Sequence, residues 1–148
     1  MKPLNELKMQ LESRSVNEGY ARTAVSAFIS QLDPTIEELN DIRTSVSEAV
    51  TNCIVHAYKN SCGKIYIDVK IFGDGKTVTK IRDRGRGIED IKKARQPLFT
   101  TLGGDRSGLG FSVRESFSDK VRVTSTLGKG TTVTLYKTIK GKEQWTVK

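Results

Sequence analysis

Glu48-Ala49-Val50-Thr51-Asn52 lies inside the longest helical pattern of the chain, and the fold is read outward from it. Leu39, Ile42, Val46, Val50, Cys53 and Ala57 mark the buried stripe of this second helix. At about 100° per residue, Glu48, Asn52 and His56 form a separate polar stripe along one edge of that apolar face. A carboxylate and a carboxamide one turn apart can thus face a cleft without leaving the helix. Thr35 with Glu38 gives the capping-box pattern that starts it.

Toward the C-terminus, Ile65, Ile67, Val69 and Ile71 alternate as in a strand, and Gly73-Asp74-Gly75 turns the chain. Thr79, Ile81 and Asp83 share one face of the next strand, so Asp83 points where the buried side chains point. The stretch Arg95 to Arg106 loses periodicity and collects Pro97, Gly103 and Gly104, which reads as a loop. Gly108-Leu109-Gly110 opens a short helix through about Phe117. A hairpin follows, with Val121 and Val123, the Gly128-Lys129-Gly130 turn, then Val133 and Leu135. From Lys140 the chain is polar and reads as frayed.

Toward the N-terminus, Leu7, Met9 and Leu11 alternate as in a half-buried first strand, and Ser15 with Glu18 gives a further capping-box pattern. The helix expected there has apolar positions Val16, Tyr20, Ala24, Phe28 and Leu32, and Asp33-Pro34 ends it because the residue before proline avoids helical angles. The sum is an α/β two-layer sandwich: a mixed, mostly antiparallel sheet with helices stacked on one face.

At 148 residues the chain fits one domain, spanning 1–148. No apolar run approaches the roughly 20 residues of a membrane span, and no signal-peptide core precedes the first strand, so a cytoplasmic protein without membrane contact is expected. Cys53 and Cys62 are too far apart for a short-spaced zinc motif and are expected to be reduced. The net charge of +8 is locally dense at Arg82, Arg84, Arg86, Lys92, Lys93 and Arg95. Without a helix-turn-helix, zinc finger or aromatic RNA-binding signature, no direct nucleic-acid contact is expected. The charge otherwise suits an acidic protein partner.

Four motifs carry the chemistry: Glu48 to Asn52, Asp83-Arg84-Gly85-Arg86-Gly87, Ser107-Gly108-Leu109-Gly110 and Gly130-Thr131. Each has an ordinary reading: an exposed helical pair, a turn, a tight loop, a hairpin exit. Their order and spacing within one consistent architecture point instead to a site for a nucleotide and its magnesium. The sequence resembles the GHKL ATPase superfamily, which includes gyrase-type and histidine-kinase ATP-binding domains of the Bergerat fold. Over essentially the whole chain it is most similar to the bacterial anti-sigma factor serine kinases, through Ser47 to Asn52, Arg95-Gln96-Pro97-Leu98-Phe99-Thr100-Thr101 and Arg106-Ser107-Gly108-Leu109-Gly110-Phe111.

The resemblance implies roles residue by residue. Asn52 is the magnesium ligand, with ATP phosphates and water completing the shell. Asp83 accepts a hydrogen bond from the adenine amino group, Gly85 and Gly87 let the backbone approach the base, and the Thr131 hydroxyl completes the adenine contacts. Gly108 and Gly110, with Ser107 and Leu109, bring backbone amides to the triphosphate. Residues of about 95–107, including Thr100 and Thr101, form the ATP lid, and about 140–148 form a polar tail.

Glu48 is the base that orients a partner's serine hydroxyl for transfer from ATP, leaving ADP. Arg106 meets either the γ-phosphate or the protein substrate, and Arg22 on the first helix is a partner contact. The implied protein is a homodimer that binds a sporulation sigma factor and phosphorylates an anti-anti-sigma protein. A histidine-kinase catalytic module and a nucleotide-dependent binding module without kinase activity are the alternatives.

Overall fold

The computed structural model describes residues 2–58, 61–85 and 119–141. Strand β1 (Asn5–Glu12) leads into helix α1 (Val16–Ile29), a 3₁₀ turn (Ser30–Leu32) and helix α2 (Ile36–Asn52), which continues as a π-helical turn (Cys53–Ala57). Strands β2 (Lys64–Ile71), β3 (Lys76–Asp83), β4 (Lys120–Thr126) and β5 (Gly130–Thr138) complete the sheet, whose order is β1-β2-β3-β5-β4. All four pairings among the described residues are antiparallel. β3 and β5 therefore occupy interior positions, and Asp83 pairs with Thr131 across them.

Period-two alternation decides which face is buried. Ile65, Ile67, Val69 and Ile71 of β2 are fully buried, as is Ile81 of β3, and they join Val133 and Leu135 of β5 beneath α1 and α2. Leu7, Met9 and Leu11 of β1 pack against this core at its edge. The expected strands and both hairpin turns are present. Phe72 and Lys76 close the first turn, where Gly75 takes a φ of 94°, and Gly128 at 80° turns the second. Both angles favour residues without a Cβ.

Helix α1 departs from its sequence reading in two respects. Val16 and Tyr20 are exposed, whereas Ala21, Val25 and Ile29 are the fully buried positions, with Phe28 and Leu32 packed against them. A series spaced by four drifts about 40° at every step, so the row from Val16 to Leu32 winds around the helix and cannot be one face. The capping box at Ser15 is also absent. Ser15 already has helical angles and its side chain caps nothing, while Glu18 turns to Arg22 at 3.0 Å.

Helix α2 begins as its sequence predicts. The Thr35 hydroxyl accepts from the Glu38 amide at 3.1 Å, and the Glu38 carboxylate accepts from the Thr35 amide at 3.0 Å. The same carboxylate accepts the backbone amides of Lys140 at 2.8 Å and Gly141 at 3.0 Å, so the start of the C-terminal stretch is held to the helix. Ile42, Val46, Val50 and Cys53 are buried as expected, while Leu39 and Ala57 are only half-buried. Asp41 and Lys137, 3.4 Å apart, add a tie between α2 and β5.

Candidate nucleotide site

The site forms where the C-terminal end of α2 meets the end of β3. Glu48 and Asn52 lie on regular α-helix, both half-buried. Directly after Asn52 the backbone widens to a π turn. The wider turn breaks the 100° progression, so His56 does not continue the line of Glu48 and Asn52 as a uniform helix would carry it. No residue pattern in Cys53 to Ala57 announces the change, and π turns of this kind concentrate at functional sites.

Asp83 is the centre of the arrangement. It is 5% exposed, at the last position of β3 and on the core face, as its parity with Ile81 requires. Its Oδ1 accepts the backbone amides of Gly85 at 2.9 Å and Thr131 at 3.2 Å, and its Oδ2 lies 3.6 Å from the Cys53 thiol. Burial pushes its carboxyl above the usual carboxylate range, against the opposing pull of the Gly85 and Thr131 amides and the Cys53 thiol. Its neighbours Arg82 and Arg84 do not neutralise it. They stack on Tyr66, with guanidinium carbons 4.7 and 5.0 Å from the ring centroid, on the other face of the sheet.

Two glycines make the approach to Asp83 close. A Cβ on Gly85 would collide with the carbonyl of Ala57 at the end of the π turn, and one on Gly130, at φ 122°, would collide with the carbonyl of Asp83. Side chains at either position would push apart the elements that meet at the carboxylate. Tyr58 fastens the same corner: its hydroxyl accepts the Arg84 amide at 2.6 Å and donates to the Lys64 carbonyl at 2.7 Å. The Thr131 hydroxyl lies 2.8 Å from the Ser125 hydroxyl, its cross-strand partner.

The structure thus brings Asp83, Gly85 and Thr131 together and connects them through Cys53 to the helix end that carries Asn52. Arg22 lies on α1, paired with Glu18. Gly87, Thr100, Thr101, Arg106, Ser107, Gly108, Leu109 and Gly110 lie outside the described residues. Sequence reasoning missed Cys53, Tyr58 and Ser125. Only Ser125 had a signal, since counting back from the Gly128-Lys129-Gly130 turn sets it opposite Thr131.

A buried carboxylate fixed by backbone amides suits an aromatic base with an exocyclic amine. Asp83 Oδ1 is taken twice by backbone donors, whereas Oδ2 meets the Cys53 thiol and has a second lone-pair direction for a ligand donor. The Asn52 carboxamide is a neutral, hard oxygen of the kind that magnesium accepts together with phosphate and water. Among the described residues, no three His, Cys, Asp or Glu side chains come together to hold a metal. A shallow cleft of about 460 Å³ lined by Lys8, Gln10, Tyr66, Asp68, Lys80 and Arg82 belongs to the other face of the sheet and is not this site.

The histidine kinase-like ATPase domain matches residues 11–137. The chain belongs to that family of nucleotide-binding domains, in its group of anti-sigma F factors. The anti-sigma F factor of Caldanaerobacter subterraneus subsp. tengcongensis is 54% identical over 136 residues, covering 91% of this chain and 94% of the relative. That of Geobacillus stearothermophilus is 52% identical over 134 residues, covering 90% and 92%.

Among solved structures, the RsbU and RsbW domains of a Mycobacterium tuberculosis protein align with a TM-score of 0.68 at 21% identity, over 93% of this chain and 33% of that one. The histidine kinase domain of a blue-light activated kinase from Erythrobacter litoralis aligns at 0.54 and 21% identity, over 82% and 61%. Both carry the same fold. No helix among the described residues is long and apolar enough to cross a membrane.

Proposed function

We propose that this chain is a cytoplasmic, homodimeric anti-sigma factor that binds a sporulation sigma factor and uses MgATP to phosphorylate a serine on its anti-anti-sigma antagonist. The observation that carries the nucleotide half is Asp83: a buried carboxylate whose Oδ1 takes two backbone amides while Oδ2 meets a thiol and has a second lone pair for a ligand donor. The regulatory half rests on relatives named anti-sigma F factor that cover nine-tenths of the chain or more. The whole chain acts as one kinase domain in this reading.

Each residue then has a task. Asp83 accepts a hydrogen bond from the adenine amino group, and Gly85 and Gly130 keep the backbone close enough for the base to reach it. Asn52 would contribute a carboxamide oxygen to a magnesium ion, which when bound would supply charge neutralisation at the transferring phosphoryl group. Glu48, one turn earlier on α2, accepts the proton of the antagonist's serine hydroxyl as its oxygen attacks the γ-phosphorus and ADP leaves. Gly87 serves the base with Gly85, and Thr100 and Thr101 belong to the ATP lid. Ser107 to Gly110 offer backbone amides to the triphosphate, Arg106 serves the γ-phosphate or the protein substrate, and Arg22 serves the partner. Sigma is released when the unphosphorylated antagonist binds the same dimer.

Labelled MgATP incubated with this chain and its antagonist, followed by mapping of the labelled residue, tests the reading. Phosphoserine on the antagonist is the expected product. Glu48→Gln is expected to keep MgATP affinity within about twofold and to lower the transfer rate by 10²-fold or more. Unchanged transfer would remove Glu48 from the base role, and nucleotide binding with no transfer by the wild type would leave a nucleotide-dependent binding module. Label on a histidine would instead mark a histidine-kinase-like module.

A further inference from the structure

We propose that Cys53 is a positioning residue for purine recognition, its thiol setting the Asp83 oxygen that reads the 6-amino group. The inference rests on the nucleotide reading above and deepens it. The two oxygens of Asp83 are differently engaged: Oδ1 receives two backbone amides, and Oδ2 meets the Cys53 sulfur at 3.6 Å. Backbone amides fix the position of the carboxylate but leave its second oxygen able to swing about them. A donor on Oδ2 removes that freedom.

Cys53 is suited to the task because of where it sits. It is buried, at 4% exposure, and begins the π turn immediately after Asn52, so one backbone junction presents the carboxamide and the thiol on adjacent residues. A carboxylate oxygen has two lone-pair directions, so Oδ2 can accept the thiol and still accept an amine. A 6-amino purine is thereby matched, whereas a 6-oxo purine presents an acceptor to an acceptor and is rejected.

Calorimetry on the full chain, comparing MgATP with the triphosphate of purine riboside, which lacks the 6-amino group, separates this role from a packing role. Cys53→Ala is expected to weaken MgATP binding about fivefold, the equivalent of about 1 kcal/mol for one hydrogen bond to a carboxylate. Binding of the desamino analogue is expected to stay unchanged, and Cys53→Ser, which keeps a donor, is expected to recover most of the MgATP loss. Equal MgATP affinity for the wild type and Cys53→Ala overturns the inference while leaving the nucleotide reading intact. Equal losses for both nucleotides assign Cys53 to packing alone and also overturn it. A wild type that binds neither nucleotide overturns the nucleotide reading itself.

Discussion

Asp83 is held in an environment that opposes its charge, and this has opposite consequences for stability and binding. Burial raises its folded pKa above the unfolded value, so the stability linked to its protonation is fully present below the unfolded pKa and is lost as pH rises through the folded one. At pH 7 the ionised carboxylate therefore weighs against the fold. Asp83→Asn keeps a carbonyl for the Gly85 and Thr131 amides and removes the charge. The variant is expected to melt at or above the wild-type temperature at pH 7, with the difference narrowing as pH falls toward 4. Its MgATP affinity is expected to drop more than about tenfold, because the amide nitrogen then meets the adenine amine donor to donor. A lower melting temperature at pH 7 with MgATP affinity retained would contradict both parts. The orientation of Asp83 was legible from alternation with Ile81. Its partners were not, because Cys53 and Thr131 lie 30 and 48 residues away in sequence and no local pattern reports such contacts.

Among the elements, α2 is the one whose ends matter most, since its start anchors the chain beyond β5 and its end carries the site. The start depends on Glu38. Partial burial disfavours its charge, but the hydrogen bonds from the Thr35, Lys140 and Gly141 amides outweigh this and hold its carboxyl below the usual range. Its stabilising contribution is therefore present above the ordinary carboxylate value near 4.5 and is lost as pH falls through the lowered one. Glu38→Gln retains at most one good acceptor for three amides and is expected to cost about 1 kcal/mol at pH 7 by urea unfolding. The cost is expected to shrink toward zero near pH 3, and a pH-independent cost would place the effect in packing. The Thr35 cap was readable because a capping box is contained in four consecutive residues, whereas the reach of Glu38 to Lys140 and Gly141 crosses the whole chain. Helix α1 shows the limit of pattern reading from the other side. Val16 and Tyr20 fit a spacing of four, yet the sheet and α2 select Ala21, Val25 and Ile29, and only the spacing i, i+4, i+7, i+8, i+11 from Ala21 to Leu32 keeps to one side.

At the scale of the whole molecule, the site is tied to the most interior part of the sheet. β3 and β5 are flanked on both sides, Asp83 and Thr131 face each other across them, and Cys53 joins them to α2. A ligand bound there contacts the interior strands and α2 together, so its binding free energy is expected to appear in the stability of the fold. With MgATP at 100-fold its Kd, unfolding is expected to require about 2.7 kcal/mol more. For a chain of this size the melting temperature then rises by several degrees. Chelation of magnesium with EDTA removes the part of this rise that depends on the metal, and Asn52→Ala is expected to remove the same part. If the Asn52 oxygen acts by holding the ion, EDTA added to Asn52→Ala produces little further loss, because the two perturbations delete one interaction. Additive losses in the four melting curves would instead separate Asn52 from the metal and place its effect on the helix end itself, where the π turn begins.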